Sequence, residues 1–190
     1  MNRRLVILAL LAGAVAACGV VPTHPESTDQ RARPAATASP SPGEAARVLR
    51  VVDGDTLKAQ VSGRMETVRV IGIDTPESVK PGTPIECFAL RASAEAERLL
   101  PAGAAIHLEL DPTQAGRDQY GRLLAHVWLA DGTLYAERLI RDGFGIHSVY
   151  GGVPSIYARR LASAEEVARA ALRGLWSPST CAGSAHAPAP

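Results

Sequence analysis

Five short β-patterned runs with a single helical run after the third constrain this chain more than any other feature. Residues 47–52 and 56–61 are apolar-rich runs on either side of an Asp53-Gly54-Asp55 turn. Ser62-Gly63-Arg64 marks a hairpin, and residues 66–73 alternate and are rich in β-branched side chains. A helical pattern over 87–100 stops at Pro101 and Gly103. Residues 105–110 alternate cleanly, and 123–129 form a fifth strand pattern ending at Asp131-Gly132. Thr133 stands where it can cap a helix running through Asp142 and closed by Gly143. A last helix over 155–173 carries Tyr157, Leu161, Ala164, Ala168 and Ala171 on one face, with Gly174 just past its end. The order β-β-β-α-β-β-α-α predicts an α+β fold: a five-stranded OB-type barrel with three helices.

The two ends differ from this core. Residues 1–17 begin with Arg3 and Arg4, continue with an apolar run over 5–12 and end in small residues. That run is shorter than the roughly 20 residues a spanning helix needs, so it reads as a secretory signal. Val15-Ala16-Ala17-Cys18 resembles the bacterial lipoprotein signal, which makes Cys18 the expected acylated first residue. Residues 18–45 hold five prolines (22, 25, 34, 40 and 42) and no apolar period, the composition of a flexible tether. The folded domain is expected over 46–181, with 182–190 a disordered tail. The implied location is extracytoplasmic, on the cell membrane through the lipid anchor alone. Outside the cytoplasm Cys87 and Cys181 are expected to pair, the alternative being two unpaired thiols.

Charge narrows the functional classes. Lys plus Arg number 20 against 19 Asp plus Glu, a net charge of +1. A broad basic field for gripping nucleic acid without specificity is therefore excluded, and any polyanion site must be a local group of cations.

Four clusters could supply such a site: Asp53-Gly54-Asp55-Thr56, Arg69, Asp74-Thr75-Pro76-Glu77 and Tyr120-Gly121-Arg122. Paired carboxylates with nearby hydroxyls and carbonyls suit a hard cation such as Ca²⁺. The Asp-Gly-Asp segment is not an EF-hand loop, because its sixth position is Lys58 and its twelfth Arg64. Each cluster alone is also an ordinary turn. Taken together, Asp74 and Glu77 flank a proline that fixes the backbone, leaving one carboxylate for proton transfer. Arginines from two segments can fork around a phosphate. On a straight strand Arg69 and Asp74 face opposite sides, so the strand must bulge or end near Gly72 for both to share one site.

These residues resemble the staphylococcal-nuclease-like (thermonuclease) family over about 51–177. The resemblance rests on Val52-Asp-Gly-Asp-Thr56, Val68-Arg-Val-Ile-Gly-Ile-Asp-Thr-Pro-Glu77, Asp118-Gln-Tyr-Gly-Arg122 and Gly174-Leu-Trp-Ser177, in that order. It implies a five-stranded OB barrel with three helices and a Ca²⁺-dependent phosphodiesterase acting on DNA and RNA, single strands favoured, as a monomer. By position it implies Asp55, Asp74 and the Thr75 carbonyl as metal ligands and Glu77 as general base. Arg69 and Arg122 would hold the scissile phosphate, Tyr120 and Tyr150 would contact substrate, and 3′-phosphate ends would be left.

Departures from the family pattern fall on substrate contacts. Gln119 stands where the family nuclease has Lys, and Val149 and Gly151 occupy positions aligned with its tyrosines. The competing class is a non-catalytic OB-fold lipoprotein that binds nucleic acid, which predicts a damaged acidic and arginine set and an aromatic groove. A third reading is a surface lipoprotein whose barrel mediates protein contacts, which leaves the co-occurrence of the site residues unexplained. The five histidines form no pattern: His107 and His126 lie in strand runs and His186 in the tail. Trp128 reads as a strand residue and Trp176 as an anchor for the last helix.

Overall fold

The computed structural model describes residues 43–189 apart from 79–81 and 83. The signal segment, Cys18 and nearly all of the tether lie outside these residues. Seven strands and three helices follow in the order β1 (Glu44–Val51), β2 (Thr56–Val61), β3 (Arg64–Val70), β4 (Ile73–Asp74), α1 (Ala89–Leu99), β5 (Ala105–Glu109), β6 (Leu123–Leu129), α2 (Tyr135–Arg141), β7 (Ile146–His147) and α3 (Ala158–Ala170).

Five of the strands close a barrel in the order β1-β2-β3-β6-β5. All neighbours are antiparallel except β3 and β6, which pair in parallel with Val68 opposite Leu123 and Arg69 opposite Leu124. A five-stranded barrel is narrow, so side chains alone fill it. Val48, Leu57, Ala59, Val68, Val70, Ile106, Ala125 and Val127 are each 1% exposed or less. Helix α2 adds Leu139 and Ile140 to this core, and α3 packs on it through Leu161 and Ala164. Among the described residues no helix is long and apolar enough to cross a membrane.

The predicted architecture is present, and its boundaries shift for physical reasons. The expected third strand, 66–73, stops at Val70 because Gly72 takes φ +82°, a left-handed conformation that a β-branched residue does not tolerate. The chain then restarts as β4, which pairs with β7 in a separate two-stranded sheet. Strand β1 begins at Glu44, two residues before the expected domain start, since Glu44 and Ala45 already pair with Leu108 and His107 of β5. Thr133 does not cap α2: Leu134 occupies that position without a side-chain bond, while the Thr133 N–H donates to Asp131 Oδ1 at 2.9 Å.

The expectation of a disordered tail over 182–190 is corrected for 182–189. Cys87 and Cys181 are bonded, with Cα atoms 5.9 Å apart. A small second core of Cys87, Leu175, Cys181 and Ala185 forms around the bond. The tail then pairs its main chain with residues 85–87, which supplies the order its weak apolar pattern could not.

Candidate active site

The break at Gly72 determines how the site is assembled. With the strand ended there, Arg69 from β3 and Asp74 from β4 reach the same place. Arg69 Nη2 lies 3.3 Å from Asp74 Oδ1, and Arg69 Nε lies 3.2 Å from Asp55 Oδ1. The guanidinium is further held by donating from Nη1 to the carbonyls of Val70 (2.7 Å) and Ile73 (2.8 Å). One planar cation is thus fixed between two carboxylates by groups on both sides of the break.

Asp55 is 7% exposed and accepts hydrogen bonds at both carboxylate oxygens. Its Oδ2 accepts from the backbone N–H and the hydroxyl of Thr75 at 3.0 and 3.2 Å, and its Oδ1 accepts from the Thr56 hydroxyl at 3.0 Å. Gly54 permits this approach, because a Cβ there would lie 2.7 Å from the Thr75 side chain. The acidic turn and the Asp74-Thr75 segment are packed directly against one another.

Asp53, Asp55, Asp74, Glu77 and Glu86 line one polar pocket together with Thr56, Thr75, Arg69, Arg122 and His186. Burial, reinforced by the neighbouring Asp55 carboxylate, pushes Asp53 up to about 7. Burial and Asp55 also raise Asp74, against the pull of Arg69 and His186. The donor set is carboxylate, hydroxyl and carbonyl oxygen, the chemistry of a hard cation. Among the described residues no three His, Cys, Asp or Glu side chains close around one point. In that open, oxygen-rich sense Asp55, Asp74 and Thr75 fit such a cation.

A second, more apolar pocket lies on the other side of the arginines. Val70, Ile71, Ile73, Leu124 and Val153 line it, with Gln114, Asp118, Ser148, Tyr150 and Ser155 among its polar groups. Arg69 and Arg122 line both pockets, so the two meet at the guanidinium groups. Asp118 orients Arg122: its Oδ2 accepts from Arg122 Nε at 2.6 Å, and its Oδ1 accepts the backbone N–H groups of Tyr120 and Arg122, each at 2.9 Å. Burial works against ionisation of Asp118, but these bonds hold its carboxyl below the usual range.

Asp55, Arg69, Asp74, Thr75, Glu77 and Arg122 therefore stand around one polar pocket. Tyr150 stands at the apolar pocket, two-thirds exposed. Tyr120 lies outside both linings, its ring centroid 5.4 Å from the Arg122 guanidinium carbon. Sequence reasoning did not single out Glu86, His186, Gln114, Ser148 or Ser155. Glu86 and the three apolar-pocket residues lie in or beside loops, where no periodicity marks a residue as facing a site.

Fold and site together define the class: an OB-type barrel whose acidic pocket and more apolar pocket meet at two guanidinium groups. The chain belongs to the family described as staphylococcal nuclease homologue, which matches residues 67–178. It is 36% identical over 132 residues to the thermonuclease of Staphylococcus hyicus, covering 69% of this chain and 75% of that protein. It is 40% identical over 108 residues to the thermonuclease of Staphylococcus intermedius, covering 57% and 62% respectively. Endonuclease YncB of Bacillus subtilis (strain 168) is 33% identical over 130 residues, covering 68% of this chain and 60% of that protein.

Proposed function

We propose that the chain is a Ca²⁺-dependent nuclease that hydrolyses phosphodiester bonds of DNA and RNA, preferring single strands and acting as a monomer. The observation that carries this reading is that Arg69 and Arg122 sit at the junction of an oxygen-rich acidic pocket and an apolar pocket. A nucleotide needs that division: a place for its base, cations for its phosphate, and carboxylates for the attacking water. The family and its nuclease relatives support the same class.

Arg69 and Arg122 donate to the non-bridging oxygens of the scissile phosphate, whose negative charge grows as water adds to phosphorus. Glu77 takes a proton from the attacking water. The P–O5′ bond breaks, the leaving oxygen receives a proton, and a 3′-phosphate and a 5′-hydroxyl remain. Asp55, Asp74 and the Thr75 carbonyl would hold Ca²⁺, which when bound supplies further positive charge beside the phosphate. Tyr150 on the apolar pocket and Tyr120 beside Arg122 are placed for base or phosphate contact. The N-terminal pattern makes this a lipid-anchored enzyme on the outer side of the cell membrane, with acylation at Cys18.

The test incubates the full chain with heat-denatured DNA in Ca²⁺ or in EGTA, with Arg69→Ala protein alongside. Cleavage that needs Ca²⁺ and falls by roughly two to three orders of magnitude in the variant supports the reading. Nucleic-acid binding without cleavage even in Ca²⁺ overturns it in favour of a binding module.

A further inference from the structure

The segment after Cys181 returns over the acidic pocket and is fixed at both ends. At its start stands the bond to Cys87. At its far end the Cys87 N–H donates to the Ala187 carbonyl at 2.7 Å, and the Ala189 N–H donates to the Ile85 carbonyl at 2.8 Å. Between them Glu86 and Pro188 form an isolated antiparallel bridge. Within the segment Ala185 is 4% exposed, packed with Cys87, Leu175 and Cys181.

Two polar connections run from this strap into the site. His186 Nδ1 lies 3.0 Å from Glu86 Oε2, and His186 Nε2 lies 3.5 Å from Asp74 Oδ2. The same Glu86 oxygen accepts the backbone N–H of Glu77 at 2.7 Å, while the Glu86 N–H donates to the Glu77 carbonyl at 3.0 Å. The main chain of Glu77 is therefore bonded on both sides by Glu86, and Glu86 is bonded in turn by the strap. Two short segments paired only with each other are marginal in water, and a third segment laid alongside stabilises the pairing. An imidazole contacting a metal-binding carboxylate also restricts which way that carboxylate points.

We propose that residues 182–189 form a wall of the catalytic site, and that His186 is a positioning residue. It orients the Asp74 carboxylate directly and the Glu77 main chain through Glu86. What the site then does rests on the nuclease reading above, but the order the strap imposes on Glu77 does not.

The experiment uses the full chain as wild type, His186→Ala, His186→Gln and a chain ending after Ala182, with thermal midpoints recorded for each. Four quantities are read: amide hydrogen exchange at Glu77 and 85–87, Ca²⁺ affinity by calorimetry, and kcat and KM on denatured DNA. In His186→Ala, exchange at Glu77 is expected to quicken on the order of ten-fold, and Ca²⁺ affinity and kcat to fall by about the same factor. KM is expected to stay within roughly two-fold, as for a group that acts on the reacting centre rather than on uniform binding. His186→Gln keeps a donor and is expected to recover most of the loss, and the shortened chain to match or exceed the alanine defect. Unchanged exchange at Glu77 in both His186→Ala and the shortened chain overturns the proposal. So does a gain in Ca²⁺ affinity or turnover, which would make the strap an obstruction. If the wild type does not cleave, the nuclease reading fails, while the exchange data still decide the strap.

Discussion

The buried hydroxyl of Tyr135 donates to the Gly54 carbonyl at 2.8 Å, a bond that spans 81 residues of sequence. It ties the first turn of α2 to the middle of the turn that carries Asp55. Both residues are buried, so water cannot replace the donor if it is removed.

Tyr135→Phe keeps the ring and deletes only that donor. Stability is expected to fall by about 1–3 kcal/mol, the cost of leaving a buried acceptor unpaired. Urea unfolding should show a lower midpoint with an unchanged slope, because the surface exposed on unfolding stays the same. An unchanged midpoint would show that the bond contributes nothing.

Glu77→Gln preserves side-chain shape and leaves the main-chain pairing with Glu86 intact. Ca²⁺ and nucleotide binding should persist while kcat falls by roughly 10²–10⁴, the range for losing a positioned general base. Calorimetry and single-turnover kinetics on the same preparation separate the two effects. Wild-type turnover in this variant removes Glu77 from proton transfer.

Acid should weaken the fold in two stages. Burial pushes His126 below 6.5, so the native ring resists protonation and the unfolded chain takes up the proton first. Its contribution is complete above about pH 6.5 and declines as pH falls below that value. Asp111 is buried, which alone would raise its pKa. Donors from Thr113, His126 and the Ile156 backbone overcome that and hold it at about 2, against an ordinary 3.8. Its contribution, on the order of 2 kcal/mol, is present above about pH 4 and is lost as pH falls toward 2. Urea midpoints at pH 7, 5 and 3 should fall gradually and then steeply. A midpoint that stays level from pH 7 to 3 contradicts both assignments.

Much of this architecture was legible because period and turn chemistry act locally. The strand and helix runs carried the barrel order, and the parity conflict between Arg69 and Asp74 required a break near Gly72, where the chain does end β3. The start of β1 at Glu44 was not legible, because those residues are polar or small and owe their order to pairing with β5. The strap was missed for the same reason: residues 182–189 are ordered by a distant disulfide and by main-chain bonds to 85–87, neither of which depends on an apolar pattern. His186 was therefore set aside as a tail residue although it lies beside Asp74. The apolar pocket draws on Gln114, Ser148 and Ser155 from separate loops, whose convergence follows only from the closed fold.

The parallel seam between β3 and β6 also bears on how the two arginines come together. Arg69 lies within the seam, opposite Leu124, and Arg122 immediately precedes Leu123, opposite Val68. The two cations meet only when this pairing of segments more than fifty residues apart zips shut, and such long-range pairing comes slowly. Until then Arg122 is held apart from Arg69 and from the acidic residues that accompany Arg69 in sequence. The facing of the two guanidinium groups is thus a property of the closed barrel and of neither segment alone.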